Sequence, residues 1–120
     1  MHSLTTLDQF HDLLATQQQF VIFKHSTRCS ISSNACREVY QAINALGLEN
    51  VYLLDVLTTG DLKHKLATEI NIKHESPQLL IFDQGKLTAH ASHGTISHGW
   101  IINQLQGRHD TRKSSDKQPS

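Results

Sequence analysis

Two short apolar runs separated by one helical stripe are the feature that most constrains the fold of this chain. FVIFKH at residues 20–25 and VYLLDVL at residues 51–57 are too short for helices and rich in β-branched and aromatic residues, so both are predicted to be buried strands. Between them a helix is predicted from its apolar positions: Ile31, Ala35, Val39, Ala42, Ile43 and Leu46. Two strands joined by one helix are expected to lie parallel with a right-handed crossover.

The flanking segments complete an α/β pattern. A first helix is predicted from Leu4 to Leu14, with a Ser or Thr cap, and a third in GDLKHKLATEIN at residues 60–71. HESPQLLIFDQGKLTAHASHG at residues 74–94 is typical of two strands joined by a turn at Gly85, and TISHGWIINQLQ at 95–106 is typical of a closing helix. The order α-β-α-β-α-β-β-α predicts a three-layer sandwich with a four-stranded mixed sheet flanked by helices.

Composition limits the function classes. A chain of 120 residues fits one domain, and after Gly107 no large apolar residue remains, which predicts a domain at 1–107 and a disordered tail at 108–120. Eleven basic residues balance eleven acidic ones, so no net field points to nucleic acid or an anionic membrane. The N-terminus lacks a secretory pattern and no apolar run approaches the ~20 residues of a membrane span. We expect a cytoplasmic protein, in which thiols are usually catalytic or redox-sensing.

The two cysteines, Cys29 and Cys36, lie near the start of the predicted central helix, seven positions apart. Seven helical residues rise about 10 Å, whereas a disulfide needs Cα atoms within about 7 Å, so no bridge between them is expected. Zinc sites usually pair ligands roughly two to four residues apart, and no second Cys or His pair has matching spacing. Each thiol is therefore interpreted separately.

Cys29 follows a strand and begins a helix, where unpaired N–H groups and the helix macrodipole favour a thiolate. Arg28, Lys24 and His25 lie nearby in the chain and can add positive charge. We therefore expect Cys29 to be a nucleophile; the alternative is a buried cysteine that acts as a small hydrophobe. Cys36, two turns into the helix, is expected to be structural and partly buried, and resolution of Cys29 or an intermolecular bond is the alternative.

Ser32 stands three residues after Cys29, where a dithiol C-x-x-C site carries its second thiol. A serine cannot release a mixed disulfide, so an external thiol would be needed, although the hydroxyl can hydrogen-bond the thiolate. An ordinary first-turn serine is the alternative. Pro77 directly precedes an apolar strand, which makes Ser76–Pro77 a candidate cis bond that holds the backbone of Ser76 open to a peptide or thiol. A plain edge proline is the alternative there.

The segments FKHSTRCSIS at residues 23–32 and KHESPQLLIF at residues 73–82 together resemble the YtxJ-type monothiol bacilliredoxins of the thioredoxin-like superfamily. The similarity covers roughly residues 4 to 106. Two positions differ from the usual signature, because Arg28 replaces a threonine and Ser30 replaces a proline. Loss of the proline removes a fixed φ in the first helical turn, and Arg28 adds a positive charge beside the thiol.

The resemblance implies a thioredoxin-like fold and a monothiol oxidoreductase that removes bacillithiol, or a similar low-molecular-weight thiol, from S-thiolated proteins. The candidate site residues are the catalytic Cys29, the supporting Lys24, His25, Arg28 and Ser32, and the thiol-binding Ser76 and Pro77. Bacillithiol is the expected co-substrate, with no further cofactor and no metal. The expected partners are S-thiolated proteins, and the chain is expected to be a monomer that binds neither nucleic acid nor a membrane.

Two other functions fit part of the pattern. A glutathione-dependent monothiol glutaredoxin or iron–sulfur carrier would normally have Cys-Gly-Phe-Ser, whereas Ser30 and Ile31 occupy the middle positions in this chain. A non-catalytic thioredoxin-fold binding module would explain the altered motif but not the retained Cys29. A zinc site at His90, His93 and His98 is disfavoured, because surface histidines are the more common explanation.

Overall fold

A computed structural model describes residues 1–26 and 30–106, without the side chains of residues 30–33. Five strands and four helices form one α/β unit. The strands are β1 (His2–Ser3), β2 (Gln19–His25), β3 (Val51–Asp55), β4 (Gln78–Asp83) and β5 (Lys86–Ser92). The helices are α1 (Leu7–Thr16), α2 (Ser30–Leu46), α3 (Leu62–Ile70) and α4 (residues 98–106), and a short 3-10 helix (His93–Thr95) precedes α4. The predicted tail at 108–120 lies outside the described residues.

The strands form one mixed sheet in the order β1-β3-β2-β4-β5. β2 and β3 are parallel, joined through α2 as predicted, whereas β4 is antiparallel to both β2 and β5. The sheet has five strands and not four, because His2 and Ser3 pair in parallel with Tyr52 and Leu53 of β3. A two-residue strand is too short to carry an apolar pattern, so the sequence did not indicate it.

Local chemistry explains most element ends. The Thr6 hydroxyl accepts a hydrogen bond from the backbone N–H of Gln9 and caps α1. Gly47 adopts φ 64° directly after α2, which a glycine does without steric cost. Gln84 and Gly85 both have positive φ, as a tight two-residue hairpin turn between β4 and β5 requires.

Three predicted boundaries were wrong by a few residues. α1 begins at Leu7 and not at Leu4, because Thr6 caps the helix and the N–H of Leu4 donates to the carbonyl of Leu53 at 2.8 Å. β3 ends at Asp55 and not at residue 57, because the Asp55 carboxylate accepts a hydrogen bond from the N–H of Leu57 and starts a turn. The last helix begins at residue 98 and not at Thr95, which instead belongs to the 3-10 helix. Ile96 between them is still buried, so the apolar pattern was interpreted correctly for burial but not for conformation.

The sheet separates two hydrophobic clusters. The cluster on the side of α1 and α3, here the α1/α3 face, includes Phe10, Phe20, Ile22, Leu54, Leu66, Leu80 and Phe82. The cluster on the side of α2 and α4, here the α2/α4 face, includes Val21, Phe23, Ala35, Val39, Leu79, Ile81, Ile101 and Leu105. Successive residues of a strand point to opposite faces, so the two clusters alternate along β2 and β4. Within the described ranges, no helix is long and apolar enough to cross a membrane.

Candidate functional site

Four of the candidate site residues meet at one end of the sheet. Lys24 and His25 end β2, and Lys24 is paired in register with Gln78, the residue that follows Ser76 and Pro77. α2 begins at Ser30 and contains Ser32 in its first turn. Cys29 and Arg28 lie outside the described residues, and so does the side chain of Ser32. Their predicted roles therefore stay predictions.

The peptide bond between Ser76 and Pro77 is cis, as the sequence indicated. Pro77 is buried, and its carbonyl accepts a hydrogen bond from the N–H of His93 at 3.0 Å. The hydroxyl of Ser76 is buried and has no hydrogen-bond partner among residues 1–26 and 30–106. A buried polar group of this kind is costly unless a ligand or water satisfies it, which makes this position a candidate contact for a bound group.

Lys24 is fully buried, at 0% exposure, which is rare for a lysine. Its Nζ donates a hydrogen bond to Oε1 of Gln78 at 2.8 Å. Burial lowers the pKa of Lys24 to about 8, and the negative charge of Glu75 partly opposes that shift. Because Lys24 alternates with Phe20 and Ile22, its side chain lies on the α1/α3 face, opposite to α2.

His25 lies on the other side of the sheet. Its ring stacks on that of Phe23, with centroids 5.3 Å apart and planes inclined by 17°, so it belongs to the α2/α4 face. Burial lowers the pKa of His25, and the charge of Asp55 partly opposes this, so the imidazole is neutral near pH 7. Its Nδ1 is buried, and none of the described residues forms a hydrogen bond with it. A neutral imidazole with an unused nitrogen on the face of α2 is suited to hydrogen-bond a nearby thiol or substrate group.

The segment at residues 73–76, directly before the cis bond, is fastened to the sheet by groups that the sequence did not identify. Oε1 of Glu75 accepts a hydrogen bond from the Ser92 hydroxyl at 3.2 Å, and Oε2 lies 3.1 Å from Nε2 of His93. Nε2 of Gln78 donates to the carbonyl of Lys73 at 3.1 Å. The two Glu75 contacts join residues 17 and 18 positions apart, and no local pattern signals them.

His74 is part of this segment and adds another polar group. Its ring meets that of His64 edge-on, with centroids 5.3 Å apart, and its Nδ1 is buried with no hydrogen-bond partner in the described part of the chain. Burial is the main cause that lowers the pKa of His74 to about 4, followed by the positive charge of Lys24. His74 is therefore neutral at pH 7 and leaves Lys24 as the buried cation of this group.

Cys36 is a free thiol, half-buried against the α2/α4 cluster. Burial raises its pKa, which favours the thiol over the thiolate. Such an environment matches the predicted structural role and gives Cys36 little nucleophilic character of its own.

His93 and His98, two of the three histidines considered for a zinc site, each have a carboxylate partner. His93 pairs with Glu75, and Nδ1 of His98 lies 2.7 Å from Oε1 of Glu38. His90 is exposed on β5. Among residues 1–26 and 30–106, no group of three or more His, Cys, Asp or Glu side chains is arranged to hold a metal ion. The sequence did not indicate these carboxylate partners, because each comes from a distant element.

Comparisons with known proteins agree on the fold. This chain is 29% identical to a solved protein assigned as an oxidoreductase with a thioredoxin fold. The match covers 87% of this chain and 92% of that protein, with a TM-score of 0.81. Mitochondrial thioredoxin 3 from Saccharomyces cerevisiae is 17% identical over 89% of this chain and 94% of its own, with a TM-score of 0.71. Thioredoxin from Trypanosoma brucei brucei is 13% identical over 90% and 89%, also with a TM-score of 0.71. The last two establish the fold alone, and the predicted thioredoxin-like sandwich is confirmed.

A family model describes the function class more closely. The model for monothiol bacilliredoxin BrxC matches residues 2–101, which contain every helix and strand described above except the end of α4. That match includes both segments on which the resemblance was based and excludes the polar tail. A non-catalytic binding module is therefore not supported. With the cis proline, the β2 end and the start of α2 at one end of a thioredoxin fold, this chain belongs to the monothiol bacilliredoxin BrxC family and is a thiol–disulfide oxidoreductase.

Proposed function

We propose that this oxidoreductase removes bacillithiol from S-bacillithiolated proteins through a mixed disulfide at Cys29. The observation that carries the proposal is the match of the monothiol bacilliredoxin family over residues 2–101, in a chain whose Ser76 and Pro77 lie beside the end of β2. The Ser76 hydroxyl is buried and has no hydrogen-bond partner among the described residues, so it is available to a bound group. Ser76 and Pro77 are therefore proposed to bind the disulfide that is exchanged.

The reaction proceeds by two thiol–disulfide exchanges. The Cys29 thiolate attacks the bacillithiol sulfur of the mixed disulfide, a new S–S bond forms between Cys29 and bacillithiol, and the target protein leaves as its thiolate. A second bacillithiol thiolate then attacks the bacillithiol sulfur, which frees Cys29 and gives bacillithiol disulfide. The two steps balance, because each forms one S–S bond, breaks another, consumes one thiolate and releases another. Ser32 cannot replace the external thiol, since a hydroxyl does not carry out this exchange.

Charge and hydrogen bonding around Cys29 are the proposed supporting contributions. Arg28 supplies a permanent positive charge next to the nucleophile and favours the thiolate. The unpartnered Nδ1 of His25, on the face of α2, is proposed to hydrogen-bond the nucleophile or the departing thiol. We place this reaction in the cytoplasm, where S-thiolated proteins and free bacillithiol would be the partners of a monomeric enzyme.

Intact mass spectrometry tests the proposal. The wild-type chain and the variants Cys29→Ala and Cys36→Ala are incubated with bacillithiol disulfide and, separately, with glutathione disulfide. We expect one bacillithiol adduct on the wild type and on Cys36→Ala, and none on Cys29→Ala. Cys36→Ala is the matched control because it removes the other thiol of the chain.

Three results would change the conclusion. An adduct from glutathione disulfide alone would favour a glutathione-dependent activity. An adduct that persists on Cys29→Ala would contradict the assignment of the nucleophile. No adduct from either disulfide would contradict the proposed reaction.

A further inference from the structure

A row of polar residues crosses three strands directly beneath the cis proline. Lys24 on β2 is paired in register with Gln78 on β4, and Gln78 is paired with Ser92 on β5. Residues paired in register point to the same side of a sheet, so all three side chains lie on the α1/α3 face. Toward the middle of β2 and β4 that face is apolar, with Ile22 and Leu80 as its next members. The polar row is therefore confined to the end of the sheet that carries Pro77.

Each member of the row is connected to residues 73–76. Lys24 Nζ holds Oε1 of Gln78 at 2.8 Å, and Nε2 of the same side chain donates to the Lys73 carbonyl at 3.1 Å. The Ser92 hydroxyl donates to Glu75 at 3.2 Å. Lys24 and Glu75 also attract each other electrostatically. The segment that leads into the cis bond is thus fastened at its beginning by Gln78 and at its middle by Glu75.

The buried ammonium of Lys24 is difficult to explain by stability alone. Removing an ammonium from water is costly, and one amide oxygen is the hydrogen-bond acceptor recorded for it among the described residues. A methionine has similar length and would avoid the desolvation of a charge, but it would leave Oε1 of Gln78 without its donor. The ammonium holds Oε1 of Gln78 while the Lys73 carbonyl holds Nε2, so the two contacts together fix the amide. A group that costs stability and fixes a site segment is characteristic of functional positions.

We propose that Lys24 is a positioning residue for thiol exchange, which holds residues 73–77 through Gln78 so that the backbone of Ser76 meets the bound disulfide. This inference rests on the proposed function for the identity of that disulfide. Lys24 lies on the face opposite to α2, and its described contact leads through Gln78 to residues 73–77. It therefore affects binding of the disulfide more than the intrinsic reactivity of Cys29.

Three measurements on Lys24→Met test this inference, with Lys63→Met as the matched control. Lys63 is a second lysine near His74, but its Nζ contacts the carbonyls of Val56 and Gly60 and not Gln78. The measurements are amide hydrogen exchange at residues 74–76, kinetics with a bacillithiolated peptide and with the same peptide glutathionylated, and the pH profile of Cys29 alkylation in a Cys36→Ala background.

For Lys24→Met we expect the rate of amide hydrogen exchange at residues 74–76 to rise about tenfold, because a charged hydrogen bond is lost. The KM for the peptide should rise by about the same factor, and kcat should change by less than about threefold. The alkylation profile should stay in place. Gln78→Met should reproduce the faster exchange, and the double variant should add little to it. Lys63→Met should leave all three measurements at their wild-type values.

The contrary outcomes are distinct. Unchanged exchange and unchanged KM in Lys24→Met, with a wild type that reacts, would overturn the inference. A shifted alkylation profile with unchanged exchange would also overturn it, because Lys24 would then act on the thiol directly. An equal effect of Lys63→Met would also overturn it, because the effect would then come from the loss of any nearby positive charge and not from the contact with Gln78. A wild-type chain that reacts with neither peptide would instead contradict the proposed function.

Discussion

Lys24 and His25 are adjacent in the chain but belong to different environments. The alternation of β2 turns Lys24 toward Gln78 on the α1/α3 face and His25 toward Phe23 on the α2/α4 face. Burial disfavours the charged form of both side chains. Lys24 keeps a charge at pH 7 because its pKa stays near 8, whereas His25 is neutral. One strand end therefore supplies a cation on one face and a neutral imidazole on the other.

The low pKa of Lys24 predicts that folding stability rises with pH. In the unfolded chain the ordinary value is 10.5 and in the folded chain it is about 8, so the unfolded state binds more protons between these values. The contribution of Lys24 to the free energy of unfolding is largest above pH 10.5, where the side chain is neutral in both states. It falls as the pH drops toward 8 and is lost below pH 8. The difference is at most about 3 kcal/mol, from the size of the shift.

Denaturant unfolding of the wild type and Lys24→Met from pH 7 to 10 measures this effect. The wild-type free energy of unfolding should rise relative to that of Lys24→Met across the interval. Lys65→Met, at an exposed position of α3, should follow the wild-type curve. Parallel curves for the wild type and Lys24→Met would contradict burial of a charged Lys24.

His25→Phe is predicted to keep the fold and slow the exchange reaction. The variant retains a ring against Phe23 and removes the buried Nδ1 that has no partner, so the free energy of unfolding should stay equal or rise by about 1 kcal/mol. If Nδ1 assists the exchange, kcat should fall about a hundredfold, the lower limit typical of proton-transfer groups. His90→Phe, at an exposed site, is the control. A stable His25→Phe with wild-type kcat would limit His25 to packing.

The sequence predicted correctly the features whose cause lies in neighbouring residues of the chain. Pro77 follows from the conformational freedom of an X-Pro bond, and the cap at Thr6 from the first turn of a helix. The burial of Lys24 has no such local cause, because it depends on Gln78, which is 54 positions away. The anchoring of Glu75 by Ser92 likewise depends on how β4 and β5 pair. A lysine at a strand end is ordinarily interpreted as solvent-exposed.

At the scale of elements, apolar periodicity was sufficient for the type and order of every long element. It failed for β1, which is two residues long, and for the start of α4, where Ile96 is buried outside the helix. Periodicity reports which side chains are buried and not the hydrogen bonds that define helix or strand. Two contacts begin α4. The Ser97 hydroxyl accepts the N–H of Trp100 at 3.1 Å as a local cap, and Glu38 of α2 accepts the backbone N–H of His98 at 2.8 Å as a tertiary one.

Glu38 is therefore predicted to cap α4 from another helix. The backbone N–H of His98 is the main cause that lowers the pKa of Glu38, and the ring of His98 adds to it. Glu38→Ala should reduce the free energy of unfolding by about 1 kcal/mol, as loss of an N-cap does, and Glu38→Gln by less because an acceptor remains. This contribution is present above the ordinary pKa of 4.5 and is lost as the pH falls through the lower folded value.

Urea unfolding at pH 7 and at pH 3 measures the contribution of Glu38. The difference between the wild type and Glu38→Ala should be larger at pH 7. Asp12→Ala, at an exposed position of α1, should cost less. An equal loss for Glu38→Ala and Asp12→Ala would indicate a general effect of charge and would refute the cap.

At the scale of the whole molecule, the central sheet gives each face its own core and concentrates its polar groups at one end. Phe20 and Phe82 stack at 4.7 Å on the α1/α3 face, while α2 and α4 cover the other. Because both faces are filled, the sheet end that carries Pro77 is where polar and unpartnered groups gather. Within residues 1–26 and 30–106, the last buried side chain is that of Leu105 in α4.

The final prediction concerns the residues after Gly107. The segment RHDTRKSSDKQPS contains no large apolar side chain, and the family match already ends at residue 101. A chain ending at Gly107 should keep the free energy of unfolding within about 0.5 kcal/mol of the full chain and the same Cys29 alkylation rate. A chain ending at Gly99 loses Ile101 and Leu105, which are 2% and 7% exposed, and should be less stable by about 3 kcal/mol or more. Chemical unfolding and timed alkylation of the three chains decide the matter. A Gly107 chain that loses either stability or alkylation rate would place the end of the functional domain within residues 108–120, because only that segment distinguishes it from the full chain.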